Sequence, residues 1–399
     1  MKKSTLALAI AAVVGVSTAA QADTTLYGSA RPSVDWLNPG LRNKSFSNFY
    51  GVDNTQNWQV TNNQSRLGVQ GSEDLGGGWS ANYQFEFAVN MTGGIEDFTL
   101  NENRPKWVGL QSDFGSVTLG TQYTPYYNVL GYMDSLQSIR SFDYFLYGTT
   151  SQGTPILYQR GVAQSRRPFT AVYTTPTWNG LSAQGMIQMN GTENVYNDPA
   201  GKSPTSIDSW EANIIYNNSP WFIGAAVINE KDGVYATSLN ADGTAHIIRQ
   251  NDFEYGVVLG YDNKQIAVTF GWQQYNPGNT NQPFFAPGCV DIPTYPDTIN
   301  INPALANLCI GHELTNAYAG QLTYTFGDEV VRATYAYTTF AHSPTNIQNM
   351  ELGFQHNLSK RTMLWAEYLY ALQHLQSIGP APGTNAGNQV VSLGIRHDF

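Results

Sequence analysis

Apolar and polar residues alternate with a period of two along most of the chain, and the stretch from Ser65 to Phe87 is the clearest case. Its first run places Leu67 and Val69 on one face, and its second run gathers aromatic side chains on one face and polar ones on the other. Because successive side chains of a strand point to opposite faces, this period predicts two β-strands. The glycine-rich residues 73–78 between them predict a tight turn.

Similar runs recur to the last residue, and the connections between them alternate in length. Short connections follow residues 72, 112, 175, 216, 262, 326 and 358. Long polar connections have cores near 38–57, 90–103, 124–164, 190–208, 230–250, 274–312, 339–347 and 373–387. Seven short and eight long connections join sixteen strands, and both termini then lie on the short-turn side, where the first and last strands can pair.

This arrangement predicts an all-β fold, a transmembrane antiparallel β-barrel of about sixteen strands over residues 23–399. Short periplasmic turns at one rim and long extracellular loops at the other, among them 274–312, are typical of outer-membrane barrels. A closed barrel also leaves no unpaired edge. The alternative, a soluble β-sandwich, gives no reason for connections to be sorted by length.

Residues 1–22 have the three parts of a secretory signal peptide. Basic residues at Lys2 and Lys3 precede an apolar run from Leu6 to Val16, and Ala20-Gln21-Ala22 is a small-residue cleavage signal. The apolar run is too short for a transmembrane helix. Removal of this segment takes the formal charge of the chain from −10 to −12 because two lysines are lost.

Composition supports a lipid-facing barrel. Charged residues make up 13% of the chain, about half of the share in soluble domains, and aromatic residues also make up 13%. Few charges and many aromatic residues, with no long apolar run after residue 22, favour strands that meet lipid on alternate positions only. For Cys289 and Cys309 we expect one local disulfide in an oxidising compartment, rather than a metal site or a reactive thiol.

Three stretches resemble the Gram-negative general porins: SRLGVQGSEDLGGGWSANYQFEF, WVGLQSDFGSVTLGTQYTPYYNVLGYMD and the terminal GIRHDF. The resemblance implies a homotrimer in the cell outer membrane, surrounded by lipid and lipopolysaccharide, with passive diffusion of small hydrophilic solutes and ions through each barrel. It also implies that the third long loop, 124–164, folds inward to constrict the pore. The terminal Phe399 would be the signal that the barrel-assembly machinery reads.

A constriction of this family has a ladder of basic wall residues facing carboxylates on the inward loop. Asp134 matches the first loop acid, Arg66 and Arg104 match wall arginines by motif position, and Arg31 points inward by alternation. The full candidate set is Arg31, Arg66, Arg104, Asp134, Asp143, Arg160 and Arg166. Any one of these charges can instead be a solvated lumen residue without influence on selectivity. Because arginines outnumber acids in this set, we expect selectivity nearer neutral than the bulk charge implies, and leaning to anions.

Other functions are less well supported by the residues. An outer-membrane enzyme needs converging catalytic groups, but the six histidines are scattered and none has a motif around it, so we predict no enzyme. A sugar-selective or anion-selective channel remains an alternative, since the third loop carries many tyrosines, and a structural or adhesive barrel is a further one. No nucleotide-binding loop, metal-ligand spacing or nucleic-acid patch occurs, so we expect no cofactor, no metal and no nucleic acid partner.

Overall fold

The structure is a computed structural model that describes residues 23–38, 57–93, 104–138, 149–150, 154–155, 165–189, 207–239, 245–276, 315–340, 346–375 and 384–399. Several predicted features lie outside these residues. They are the signal peptide 1–22, Asp143, Arg160, both cysteines Cys289 and Cys309, and most of the 274–312 loop.

Within the described residues, sixteen strands follow one another around a single sheet. They are β1 (Asp23–Ala30 and Pro32–Asn38), β2 (Asn57–Asn62 and Arg66–Gly76), β3 (Trp79–Ala88), β4 (Lys106–Ser112), β5 (Gly115–Tyr123), β6 (Arg166–Thr174), β7 (Leu181–Gln188), β8 (Ser209–Asn218), β9 (Trp221–Leu239), β10 (Ala245–Asp262), β11 (Ile266–Asn276), β12 (Thr315–Phe326), β13 (Glu329–Phe340), β14 (Asn346–Asn357), β15 (Thr362–Leu375) and β16 (Thr384–Asp398). Between β5 and β6 lie a short helix α1 (Pro125–Leu130), a 3₁₀ turn (Gly131–Met133) and the two-residue strands Thr149–Thr150 and Thr154–Pro155.

Each strand pairs antiparallel with the next, and the last returns to the first. Ser33 of β1 lies opposite Gly394 of β16, and the backbones of Gly28 and Phe399 exchange hydrogen bonds of 3.0 and 3.1 Å. This seam closes the sheet into a barrel, so the predicted fold class is confirmed. β1 is interrupted at Arg31 and β2 at residues 63–65, which makes the first two strands appear as four segments.

The barrel buries polar side chains and exposes apolar ones. Phe270 is 60% exposed and Leu352 59% on the outer face, whereas Glu211 and Gln273 are each 1% exposed inside. A soluble protein shows the reverse distribution. The outer apolar surface therefore suits lipid, and the polar inner face suits a water-filled lumen.

No helix among the described residues is long and apolar enough to cross a membrane.

Candidate functional site

The chain leaves β5 and turns into a compact segment, residues 124–138, which we call the loop segment. Thr124 caps helix α1 by accepting a hydrogen bond of 3.1 Å from the backbone N–H of Tyr127, and Pro125 occupies the first helical position. Both residue types are favoured at a helix start. Apolar residues at positions 126, 129, 130 and 133 follow the spacing of one helical face, and all four are buried.

That apolar face packs against the inner wall of the barrel. Tyr126, Val129, Leu130 and Met133 form one cluster with inward side chains of β9 to β13, namely Phe222, Ala226, Ile228, Val258, Tyr275, Ala319 and Ala336. Wall glycines make room for the helix, because a Cβ at Gly256 would collide with Leu130 and one at Gly224 with Val129. The loop segment therefore occupies part of the lumen rather than projecting from the rim.

Polar groups hold the beginning of the loop segment on β6 and β8. Glu211 is fully enclosed and lies 2.9 Å from the guanidinium Nε of Arg167. Its other oxygen accepts a 3.2 Å hydrogen bond from the backbone N–H of Tyr126. Asn213 donates a 2.7 Å bond to the carbonyl of Pro125. Removing one partner of a buried ion pair strongly destabilises the folded protein. These contacts therefore hold the start of helix α1 in place.

The far end of the loop segment is held by β15. The carboxylate of Glu367 accepts hydrogen bonds from two successive backbone N–H groups, 2.6 Å from Gln137 and 2.8 Å from Ser138. Leu136 lies over Gly353 of β14, where a Cβ would collide with it. Hydrogen bonds to an ionised acceptor are stronger than neutral ones, so Glu367 is a strong anchor for this end.

Four arginines lie on another part of the wall, and we call Arg31, Arg66, Arg104 and Arg166 the arginine face. Glu86 of β3 joins two of them, at 3.2 Å from Arg104 Nη1 and 3.7 Å from Arg66 Nε. Tyr27 donates a 3.0 Å hydrogen bond to the same carboxylate.

Arg166 stands over the ring of Tyr123, with 5.3 Å between the guanidinium carbon and the ring centroid. Tyr123 in turn stacks on Tyr127 of the loop segment at 5.1 Å between centroids. The arginine face is thereby in contact with the inserted helix.

Asp134 is exposed on the loop segment, and Tyr127 donates a 3.1 Å hydrogen bond to its carboxylate. Enclosure by the barrel raises the pKa of Asp134 to about 7, against the lowering effects of the Tyr127 hydrogen bond and of the charges on Arg31 and Arg66. Lumen water reaches the Asp134 side chain, and this water weakens the rise in its pKa. The influence of both arginines shows that the carboxylate and the arginine face lie within electrostatic range of each other.

The structure thus brings Arg31, Arg66, Arg104, Arg166 and Asp134 around one section of the lumen. Sequence reasoning did not single out Glu86, Glu367 or Arg396, the last of which donates to the Gln137 side chain at 3.3 Å. Glu86 had a signal, because alternation along β3 places it on the same face as the inward residues of β2. Glu367 had none, since it lies 230 residues from its partner Gln137.

Within the described ranges, no group of three or more histidine, cysteine, aspartate or glutamate side chains is arranged to hold a metal ion.

Comparisons with known proteins agree on one family. A family model described as Gram-negative porin matches residues 7–373. Outer membrane porin protein 32 of Delftia acidovorans is 26% identical over 419 residues, and major outer membrane protein P.IB of Neisseria gonorrhoeae is 23% identical over 418; each alignment covers all of both chains. Among solved structures, an anion-selective porin from Comamonas acidovorans matches with a TM-score of 0.65 and 20% identity, over 95% of this chain and 100% of that one.

Proposed function

The chain belongs to the Gram-negative porin family, and from this premise we propose a general diffusion pore whose narrowest section lies between the loop segment and the arginine face. The protein is an outer-membrane porin, a barrel that forms a channel across that membrane. The finer proposal is that small hydrophilic solutes and ions pass the narrowest section by diffusion, without binding there. Sixteen strands enclose an aqueous lumen, so the narrowest section and its charges control flux.

The observation that carries this proposal is the placement of the loop segment inside the barrel. It is anchored at both ends, by Glu211 near its start and by Glu367 near its end. The charges of Arg31 and Arg66 act on its exposed carboxylate, Asp134. We infer that Asp143 and Arg160, on the same long loop, add to the charges of this section.

We propose weak selectivity with a preference for anions. Four arginines stand on the arginine face, and Glu86 is the carboxylate paired with two of them. Local charge at the narrowest section outweighs the bulk charge because lumen walls of low dielectric focus the field there. The formal charge of −12 that remains after removal of residues 1–22 is spread over the whole chain.

We also propose that the barrel has no enzymatic role. His356 is engaged with Glu329 at 2.8 Å and His397 with Thr362 at 2.9 Å, both near the short-turn rim. Both contacts use the Nδ1 atom alone. The proposal rests instead on the family match, because porins are diffusion channels. Assembly as a homotrimer and recognition of Phe399 by the barrel-assembly machinery complete the proposal.

Single-channel recording in planar bilayers, combined with liposome swelling, tests the function. A general pore gives ohmic current steps that grow with salt concentration, and swelling rates that fall smoothly with solute size. A substrate-selective channel gives saturation and a large rate for one solute class. A structural or adhesive barrel gives no steps, and that result would overturn the proposal.

A further inference from the structure

A second feature of the lumen lies between the arginine face and the short-turn rim, where a cavity of about 390 Å³ opens on the inner wall of β1 to β5. Its principal side chains are Gln70, Asn82, Gln84, Trp107, Gln111 and Thr118, which we call the polar shelf. We propose that the polar shelf is a weak binding site for neutral, polyhydroxylated solutes of the oligosaccharide type. It is separate from the constriction, and the inference rests on the open pore proposed above.

Strand register explains why residues far apart in sequence form this shelf. Gln70 lies opposite Gln84, and Gln84 lies opposite Trp107, so these three form a row across β2, β3 and β4. Asn82 and Thr118 flank Gly109 in the neighbouring row. Residues opposite each other on antiparallel strands share a face, and the alternation with Arg66 on β2 makes that face the lumen side.

Hydrogen bonds hold the centre of the shelf in one arrangement. The indole N–H of Trp107 donates to Gln84 at 2.9 Å, and the Gln84 amide donates to the hydroxyl of Tyr27 at 2.7 Å. Tyr27 donates in turn to Glu86, which is paired with the buried Arg104. A site whose side chains are fixed by a second layer of contacts loses less entropy when a solute binds.

The chemistry of the lining selects for neutral solutes. Among the lining residues, all of which are described, Asp23 alone carries a charge. The amides of Gln70 and Gln111 are exposed, and each offers both a donor and acceptors, a pairing that suits neighbouring hydroxyl groups. The partly exposed ring of Trp107 supplies an apolar surface for the C–H face of a sugar ring. Anions are drawn instead to the arginine face.

Size and function both point to low affinity. The cavity lies near the lower end of the roughly 300–1,000 Å³ range of small-molecule sites. A site inside a channel must also release its solute quickly, because tight binding would block flux. We therefore expect binding that slows neutral sugars briefly without stopping ion current.

The test is the reduction of ion current by maltotriose, added on the short-turn side of single channels. A polyethylene glycol of similar mass is the control solute, since it fills volume but has no neighbouring hydroxyl groups. Maltotriose should reduce the current more than the polymer does. The double variant Gln70→Ala/Gln111→Ala should weaken that effect roughly fivefold, as expected for the loss of one or two hydrogen bonds.

Gln59→Ala is the matched control variant. Gln59 is an inward amide on the same strand β2, beyond the arginine face, and it donates a 3.2 Å hydrogen bond to the hydroxyl of Thr61. It should leave the maltotriose effect unchanged. Trp107→Phe, which keeps a ring but loses the indole N–H, should also weaken the effect while ion conductance reports that the barrel is intact.

Two outcomes separate this inference from the proposed function. If the protein showed no single-channel conductance, the proposed pore function would be refuted. A conducting channel in which maltotriose and the polymer act equally, or in which the shelf variants behave like wild type, would overturn the polar shelf alone.

Discussion

Arg66 and Glu86 allow charges of opposite sign to be removed from one place on the arginine face. Their Nε and Oε2 atoms are 3.7 Å apart, and both side chains point into the lumen. Arg66→Gln takes one positive charge from the narrowest section, and Glu86→Gln takes one negative charge. Glu86→Gln keeps the side-chain length but removes the charge that is paired with Arg104, and Arg66→Gln leaves a shorter amide. Single-channel conductance therefore serves as the check that each barrel is intact.

The size of the effect follows from Coulomb's law. A unit charge acts on a passing ion roughly 7 Å away with about 0.6 kcal/mol in water, and screening at about 0.1 M salt halves this to about 0.3 kcal/mol. The energies of cations and anions move in opposite directions, so their difference changes by about 0.6 kcal/mol. The ratio of cation to anion permeability should therefore change about threefold.

Reversal potentials in a potassium chloride gradient across planar bilayers measure this ratio. Glu86→Gln should shift it towards anions and Arg66→Gln towards cations by a similar factor, with both shifts shrinking at high salt. The double variant restores the net charge and should return close to wild type, while Gln59→Ala should show no shift. If both single variants moved the ratio in the same direction, the electrostatic account of the arginine face would be refuted.

The remaining predictions concern the loop segment, the loop cysteines and the last residue. Glu367→Ala removes the acceptor of two backbone N–H groups and should increase open-channel current noise. Glu367→Gln should have a smaller effect. Unchanged noise in both variants would show that Glu367 does not anchor the loop segment. Acidification below pH about 7 progressively protonates Asp134, whose pKa is raised and partly screened by lumen water, so reversal potentials should lean further to anions. Asp134→Asn should abolish that dependence. Cys289 and Cys309 should be joined by a disulfide worth on the order of 3 kcal/mol, which complete thiol labelling of the denatured, non-reduced protein would disprove. Deletion of Phe399 should sharply reduce insertion in cells and hardly affect refolding in detergent, because one partly buried ring contributes ~2 kcal/mol; equal losses in both assays would remove the signal role.

The strands could be predicted because each strand of the barrel faces lipid on one side and the lumen on the other. Apolar and polar residues alternate along the strand for that reason. β15 shows where this signal weakens. Trp365 and Leu369 share the inner face with Glu367, since Trp365 covers Gly394 and Leu369 packs with Leu37 and Val390 inside the lumen. The faces of this strand were therefore ambiguous in the sequence, although its position was not.

The sequence of the loop segment contains a local helix signal, which a search for the two-residue period of strands does not detect. Thr124 followed by Pro125 is a typical helix start, and the apolar spacing after it is helical. Its anchors could not be predicted, because Glu211 and Glu367 meet it only after the barrel closes. The glycines that make room for it, Gly224 and Gly256, look like ordinary strand positions in the sequence.

The polymer exclusion limit of single channels tests the central claim most directly, namely that residues 124–138 narrow an otherwise open sixteen-stranded lumen. Conductance is recorded in planar bilayers with neutral polymers of graded size on both sides. We expect steady ohmic steps and exclusion of polymers that an unobstructed barrel of this strand number would admit. The absence of current steps, or an exclusion limit equal to that of an unobstructed barrel, would contradict the account.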